Sequence, residues 1–276
     1  MKYYLYNSLS NNGIKPSFLD EIETLENTEI KEIIDLDYQE FLSSLQSDDE
    51  IVIVGGDGTL NYFVNEIKDL DIQNNVYFRA AGTGNDFCND IEENECKEVL
   101  INKYIKNLPT VYVKELEKKF INGVGYGIDG YCCEVADEIK RKTPNKKISY
   151  SGIAIKGLLF KYKNRKVYIS VDGKTYEHDN VWLAPTMKGR YYGGGMIIAP
   201  NQDRFNDTVS VVVFKCKSKL KTLMIFPSIF KGEHIKKEKN VVIYTGKEIT
   251  VRYEKPAALQ IDGETVLDVL EYKVRA

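Results

Sequence analysis

Two glycine-rich loops carry the most suggestive chemistry in this chain. The first is Gly55-Gly56-Asp57-Gly58-Thr59-Leu60-Asn61, set between the β-branched run Ile51-Val52-Ile53-Val54 and a helical pattern. Glycines at a strand-to-helix turn let backbone N–H groups face an anion, and the helix N-terminus adds the positive end of its dipole. Asp57 in the same loop would repel a bare phosphate, so a metal ion or a donor hydroxyl is expected between them. The spacing is not that of a Walker A loop, because no Gly-Lys-Ser or Gly-Lys-Thr follows. The second loop, Ala81-Gly82-Thr83-Gly84-Asn85-Asp86-Phe87, follows the next apolar run, Val76 to Ala80. A plain turn explains one such loop and does not explain a pair on successive strands. Ligands of parallel sheets bind outside the carboxyl ends of the strands. The two loops therefore predict a nucleotide-phosphate site with two carboxylates, Asp57 and Asp86, available for Mg²⁺.

The flanking sequence supplies a scaffold for these loops. Lys2 to Tyr6 and Glu29 to Leu36 read as strands. Phe18, Ile22 and Leu25 lie on one helical face. Tyr38, Phe41, Leu42 and Leu45 fall at the i, i+3, i+4, i+7 spacing of a helix, and Leu60, Phe63, Val64 and Ile67 restore it. Strands alternating with helices predict a mostly parallel sheet covered on both faces, a Rossmann-like α/β nucleotide-binding domain over residues 1-115. The character then changes. Beyond a helical stretch from Gly130 to Lys142, extended runs recur at Lys166 to Val171, Val181 to Met187, Val209 to Cys216, Asn240 to Tyr244, Glu248 to Tyr253 and Val266 to Val274. Turns with Asp172-Gly173, Gly193-Gly194-Gly195 and Asp262-Gly263 separate them. Residues 116-276 are thus expected to form an antiparallel β-sandwich or barrel, crossed by a helix from Leu220 to Phe230. Taken singly, the segments Asn122 to Asp129, Tyr192 to Pro200 and Leu259 to Glu264 read as turns rather than sites.

Composition narrows the class. At 276 residues the chain is long for one domain and comfortable for two. Hydrophobic residues make up 43% and charged residues 29%, which excludes a disordered or fibrous chain. No apolar run approaches the roughly 18 residues of a membrane span, and the first residues are too short an apolar run for a secretory signal. The five cysteines include an adjacent pair and no Cys-x-x-Cys, so they fit a reducing cytoplasm better than a disulfide or zinc framework. Only His178 and His234 are available as imidazoles, which argues against chemistry built on histidine.

The net charge of -3 hides an asymmetry. Residues 1 to 114 hold 9 Lys and Arg against 22 Asp and Glu, whereas the remainder holds 29 against 19. Ten cations and no carboxylate lie between Lys140 and Lys166, and a second basic run follows from Lys215 to Lys239. A charged run is most often a solvated face, yet ten uncompensated cations suit an anionic surface opposite. A nucleic acid would account for the charge and leave the glycine loops without a purpose.

Gly55 to Asn61, Gly82-Thr83-Gly84-Asn85-Asp86-Phe87, the Gly193-Gly194-Gly195-Met196 to Ala199-Pro200 segment and Asp262-Gly263-Glu264, in that order and spacing, resemble the diacylglycerol kinase catalytic family. Its relatives include bacterial lipid kinases and sphingosine kinases. The first loop alone is shared with NAD kinases, so the second loop and the late Asp-Gly-Glu carry the specificity. The resemblance spans nearly the whole chain. It implies an N-terminal nucleotide-binding domain and a C-terminal β-sandwich with ATP in the cleft between. It also implies that Gly56 to Asn61 and Thr83 hold ATP phosphates, that Asn7 lies near the nucleotide, and that Glu264 is the general base. Three departures stand out. The family's first loop, Asn-Pro-x-Ser-Gly, is Asn7-Ser8-Leu9-Ser10-Asn11 here; a glutamate after Asn61 is replaced by Tyr62; and the structural-magnesium loop becomes Asn201 to Thr208, where Asn206 or Asp207 takes the place of the ligand aspartate.

The function so implied is an ATP- and Mg²⁺-dependent lipid kinase, cytoplasmic and peripherally associated with an anionic membrane. It would phosphorylate a hydroxyl of a diacylglycerol-like lipid. An NAD kinase gives no reason for a membrane-facing charge. A regulatory protein that binds nucleotide or lipid without turnover gives no reason to keep Asp57, Asp86 and Glu264. No nucleic-acid partner is expected, and a homodimer is compatible with the sequence without being required by it.

Overall fold

The computed structural model describes residues 1–8, 15–82, 84–92, 97–143 and 148–276. Thr83, the Leu9-Ser10-Asn11 part of the first loop, and Lys146 and Lys147 of the basic run lie outside the described residues. The chain divides into two units, Met1–Asn107 and Leu108–Ala276.

In the first unit β1 (Lys2–Tyr6), β2 (Thr28–Glu32), β3 (Glu50–Gly55), β4 (Asn75–Ala80) and β5 (Val99–Leu100) form one sheet in the order β2-β1-β3-β4-β5. The first four strands run parallel and β5 antiparallel. Between them lie α1 (Phe18–Ile22), α2 (Tyr38–Ser44), α3 (Asp57–Glu66), α4 (Asp86–Ile91) and, after β5, α5 (Asn102–Ile105). Ile51 to Val54 are fully buried, as expected of a parallel strand covered on both faces. Leu60 and Phe63 of α3 and Phe87 of α4 are also fully buried. Phe87 stacks edge-on against Phe78 of β4, with ring centroids 5.9 Å apart. Packing thus fixes both helices that follow the glycine loops.

The second unit opens with β6 (Thr110–Val113) and β7 (Leu116–Lys119), a hairpin that pairs through β6 with the last strand. That pairing assigns residues 108–115 to the second unit, ahead of the boundary expected after residue 115. There follow β8 (Gly123–Tyr126), α6 (Ile128–Lys142), α7 (Tyr150–Lys156), β9 (Arg165–Val171), β10 (Lys174–Leu183), β11 (Thr186–Met187), β12 (Tyr191–Tyr192), β13 (Met196–Ile197), β14 (Val209–Lys215), α8 (Lys219–Ile225), β15 (Val241–Gly246), β16 (Glu248–Ile261) and β17 (Glu264–Arg275). The main sheet is antiparallel, in the order β7-β6-β17-β16-β8-β11-β14-β10-β9, with β15 on β14. An added pairing of β16 with β9 closes the ladder on itself. Strand β16 makes this closure by pairing with β17 along one edge and with two strands in succession along the other. Ile249 to Tyr253 pair with β9, Leu259 to Ile261 pair with β8, and the register breaks between Arg252 and Ala257 around Pro256. Proline has no N–H for the ladder, so the bend falls there.

The interior of this unit is apolar and rich in buried tyrosine. Tyr126 stacks on Tyr253 at 3.9 Å, and the Tyr253 hydroxyl donates to the Tyr126 carbonyl. A second cluster, around Trp182 and Phe214, is roofed by Ala154, Leu158, Ile225 and Phe226. His234 sits fully buried in that region with Nε2 on the Ile198 carbonyl, a packed core histidine. The expected Leu220 to Phe230 helix is α8 followed by a 3-10 turn, Phe226–Lys231. Neither the β6–β7 hairpin nor α7 carries a clear periodicity in the sequence.

Candidate active site

The register of β1, β3 and β4 brings their carboxyl ends level. Tyr6 pairs with Val54 and Gly55 with Ala80, so Asn7, Gly56 and Gly82 follow at one edge of the sheet. The two glycine loops meet backbone to backbone. A side chain built on Gly82 would place its Cβ 2.6 Å from Gly56 Cα, and one on Gly55 would meet Thr59 Oγ1 at 2.4 Å. Gly58, by contrast, has open space around it. Glycine is required at 55 and 82 for the loops to pack, whereas at 58 the space is left open at the first turn of α3.

Asp57 joins the loops chemically. Its Oδ2 accepts the Asp86 N–H at 2.9 Å and its Oδ1 accepts the Phe87 N–H at 3.0 Å. The carboxylate therefore caps the first amides of α4 from the first turn of α3. Asn85 holds the connecting loop from the other side. It adopts a left-handed backbone, φ 46°, and its amide donates to the Gly82 carbonyl at 3.0 Å. Its Oδ1 is buried and has no partner among the described residues. Asp86 is itself 5% exposed. Leu60 and Asn61 turn into the protein, Leu60 into the apolar core and Asn61 beneath Asn65, so any contact they make with a ligand runs through the backbone.

These residues fit Mg²⁺ in donor type. Asp57, Asp86 and the orphaned Asn85 oxygen are all hard oxygen donors, and each Asp57 oxygen keeps a lone pair beside its amide bond. No group of three or more His, Cys, Asp or Glu converges among the described residues. Magnesium held by one or two carboxylates, waters and phosphate oxygens needs no such group.

In the second unit Asp262 and Glu264 have different roles. Asp262 accepts the N–H groups of Ile121, Asn122 and Gly123 at 2.5, 3.0 and 2.9 Å. It pins the start of β8 to the β16–β17 turn. Asp262 and Gly263 both have positive φ, 44° and 94°, which reverses the chain tightly. Glu264 emerges from that turn exposed, its carboxylate paired with the Lys118 ammonium.

One further carboxyl stands out only in the folded chain. Asp129, in the first turn of α6, receives the Tyr192 hydroxyl at 3.0 Å and the Gly130 N–H at 2.9 Å. Burial pushes its pKa up to about 6 against these bonds and one from the Gln260 side chain. Gly125 makes room for it, because a Cβ there would lie 1.6 Å from Asp129 Oδ2. The signal available in the sequence is alternation: Gly123, Gly125 and Gly127 place glycines along one face of a strand, a sign of close approach.

The diacylglycerol kinase catalytic domain model matches residues 3–113, and the model of the YegS C-terminal NAD kinase beta sandwich-like domain matches residues 122–271. The chain thus pairs a diacylglycerol kinase catalytic domain with a YegS-type C-terminal domain and belongs to that family of lipid kinases. A diacylglycerol kinase of Mycobacterium tuberculosis is 24% identical over 225 residues, 78% of this chain and 70% of that protein. The crystal structure of a diacylglycerol kinase from Bacillus anthracis superposes with a TM-score of 0.69, covering 99% of this chain and 93% of that one. At 19% identity that likeness speaks for the fold.

Against the family pattern, Tyr62 donates its hydroxyl to the Ile34 carbonyl at 3.2 Å. The loop expected to hold a structural magnesium is built around cations of its own. The Lys188 ammonium, 4% exposed, donates to the Asn206 carbonyl at 2.7 Å. The Arg204 guanidinium donates to the Ile121 carbonyl at 2.5 Å and to Asn122 Oδ1 at 3.1 Å. Burial and the neighbouring Arg204 lower the Lys188 pKa, while Asp207 and Asp203 oppose that shift. A divalent ion at Asp207 would sit beside two buried positive charges, so these residues do not fit the metal expected there. The basic run divides as well. Lys140, Arg141 and Lys142 occupy the last turn of α6, where cations offset the helix dipole, and Lys142 pairs with Glu138.

Proposed function

We propose that the protein transfers the γ-phosphoryl group of ATP to a hydroxyl of diacylglycerol or a similar lipid, at the cytoplasmic face of an anionic membrane. The observation that carries this is the Asp57-clamped pair of glycine loops at the carboxyl ends of β3 and β4, in a chain of the lipid kinase family. The N-terminal amides of α3 and the Gly56 and Gly82 backbones would cradle the phosphates, with Asn7 at the adjacent strand end. Asp57, Asp86 and Asn85 would hold Mg²⁺, which when bound supplies charge neutralisation on the phosphates. Glu264 would accept the proton of the lipid hydroxyl, exchanging its Lys118 pairing for that contact. Asp129 is the second carboxyl to test, since its raised pKa suits proton transfer near neutral pH.

The test is transfer of label from γ-labelled ATP with Mg²⁺ to diacylglycerol, sphingosine, undecaprenol and NAD in parallel. The expected product is phosphatidate or another phospholipid. Labelled NADP would establish an NAD kinase instead. ATP binding with no labelled product across the panel would leave a regulatory nucleotide-binding protein.

A further inference from the structure

The second unit carries an apolar crest that its own core does not bury. Helix α7 runs into a π turn, Gly157–Lys161, and α8 packs beside it. The two are tied where the Lys219 ammonium donates to the Leu159 carbonyl at 2.7 Å. On the inner side, Ala154, Leu158, Ile225 and Phe226 join the Trp182 cluster. On the outer side, Phe160 is 72% exposed, Leu220 69% and Met224 63%. Leu220 and Met224 are one helical turn apart, so they share a face of α8, and Phe160 directly follows the carbonyl to which α8 is tied. Single exposed apolar residues need no explanation, but three large ones on two joined elements do.

The surrounding charge selects the occupant. Lys156, Lys161, Lys163, Lys217, Lys221 and Lys231 are all exposed around these elements. Residues 148–166 and 215–232 contain no Asp or Glu. A second copy of the chain on this face would set like charges against each other. A nucleic acid would meet the lysines and leave Phe160, Leu220 and Met224 in water. A bilayer with anionic headgroups satisfies both: the apolar side chains enter the acyl boundary, and the lysine stems lie along it with their ammonium groups at the phosphates.

We propose that Phe160, Leu220 and Met224 form a wedge by which the second unit docks on an anionic bilayer, with the flanking lysines as its electrostatic rim. This deepens the lipid kinase reading by naming the surface that meets the substrate's membrane, and it can fail independently of that reading. It also moves the contact from the Lys140 to Lys147 stretch, whose described part ends α6, to α7 and α8.

Sedimentation with phosphatidylcholine vesicles, with and without phosphatidylglycerol, tests the proposal. Wild type is expected to bind the anionic vesicles and to be released as salt rises. The combined variant Phe160→Ser, Leu220→Ser, Met224→Ser is expected to bind them roughly 100-fold more weakly. Because all three side chains are exposed, its melting temperature is expected to match wild type. In a second measurement, Phe160→Trp reports insertion directly. The chain's single tryptophan, Trp182, is fully buried and gives a constant background. Blue-shifted emission of the Phe160→Trp variant on anionic vesicles alone is expected. Unchanged binding of the triple variant, or Phe160→Trp emission indifferent to vesicles, overturns the wedge. Turnover of a dispersed short-chain diacylglycerol reads the kinase assignment separately, and the triple variant is expected to keep it.

Discussion

Replacing Asp57 by alanine is expected to remove catalysis and also to loosen the first unit. The carboxylate accepts two amide hydrogens, those of Asp86 and Phe87, and alanine leaves both without their acceptor. Loss of a helix cap costs about 0.5–2 kcal/mol, and the upper end applies here because the acceptor is charged and serves two amides. In a unit of about 100 residues, roughly 2 kcal/mol lowers the melting temperature by about 10 °C. Without the clamp the second glycine loop shifts relative to the first, and misplacement of about 1 Å at a phosphoryl-transfer site costs on the order of 100-fold in rate. Asp57→Asn keeps one acceptor and turns a donor toward the other amide, so an intermediate melting temperature is expected with comparable loss of turnover. The assay pairs scanning calorimetry of the first unit's transition with kinase turnover on the same preparations. A wild-type melting temperature in Asp57→Ala refutes the clamp, and a wild-type rate refutes its part in the site.

The other expectations concern single residues. Gly58→Ala is sterically free, so it should leave stability equal or slightly raised while weakening ATP binding if phosphate packs on that backbone; Gly82→Ala should lose both, since its Cβ meets Gly56. Isothermal titration with ATP separates them, and unchanged affinity in both would remove the loops from the site. Glu264→Gln should lower kcat by ~10²–10⁴ with ATP affinity nearly intact; full turnover would pass proton removal to another group. Chelation of Mg²⁺ should leave the melting temperature of the second unit unchanged, whereas Lys188→Met should lower its stability by about 1–3 kcal/mol by leaving the Asn206 carbonyl without its donor; a melting temperature that falls on chelation would restore the structural metal. Asp129 has a folded pKa, about 6, above its ordinary value of 3.8, so its contribution to stability is complete below that lower value and fades as pH rises through 6. Wild type should therefore lose stability relative to Asp129→Asn across that interval and run parallel to it above, as read by urea unfolding at stepped pH; a constant difference would place the carboxyl in water.

Local pattern in the sequence determined a good deal. Ile51 to Val54, followed by Gly55-Gly56 and the spacing of Leu60, Phe63 and Val64, specified strand, turn and helix, because burial on both faces of a parallel sheet demands a continuous apolar run. The recurrence of that pattern before Gly82 placed a second loop at the same sheet edge. The short extended runs after residue 165 likewise marked a β-rich second half. Tertiary structure alone decided what the polar residues do, because their partners lie far away along the chain. Asp57 reads along the chain as a phosphate-site carboxylate, and in the folded chain its carboxylate caps a helix some thirty positions on. Asp262 looked like half of a turn, and its carboxylate gathers three amides near residue 122. Asp129 passed for part of a glycine turn until Tyr192 and Gln260 closed over it and burial raised its pKa. Lys188 carried no motif at all, yet its ammonium fills the loop where a metal was expected. Hydrophobic periodicity is a property of neighbouring residues, so it can be read along the chain. Hydrogen-bond satisfaction and charge pairing depend on which distant backbone groups the fold brings within about 3 Å, so they exist only once the chain has closed.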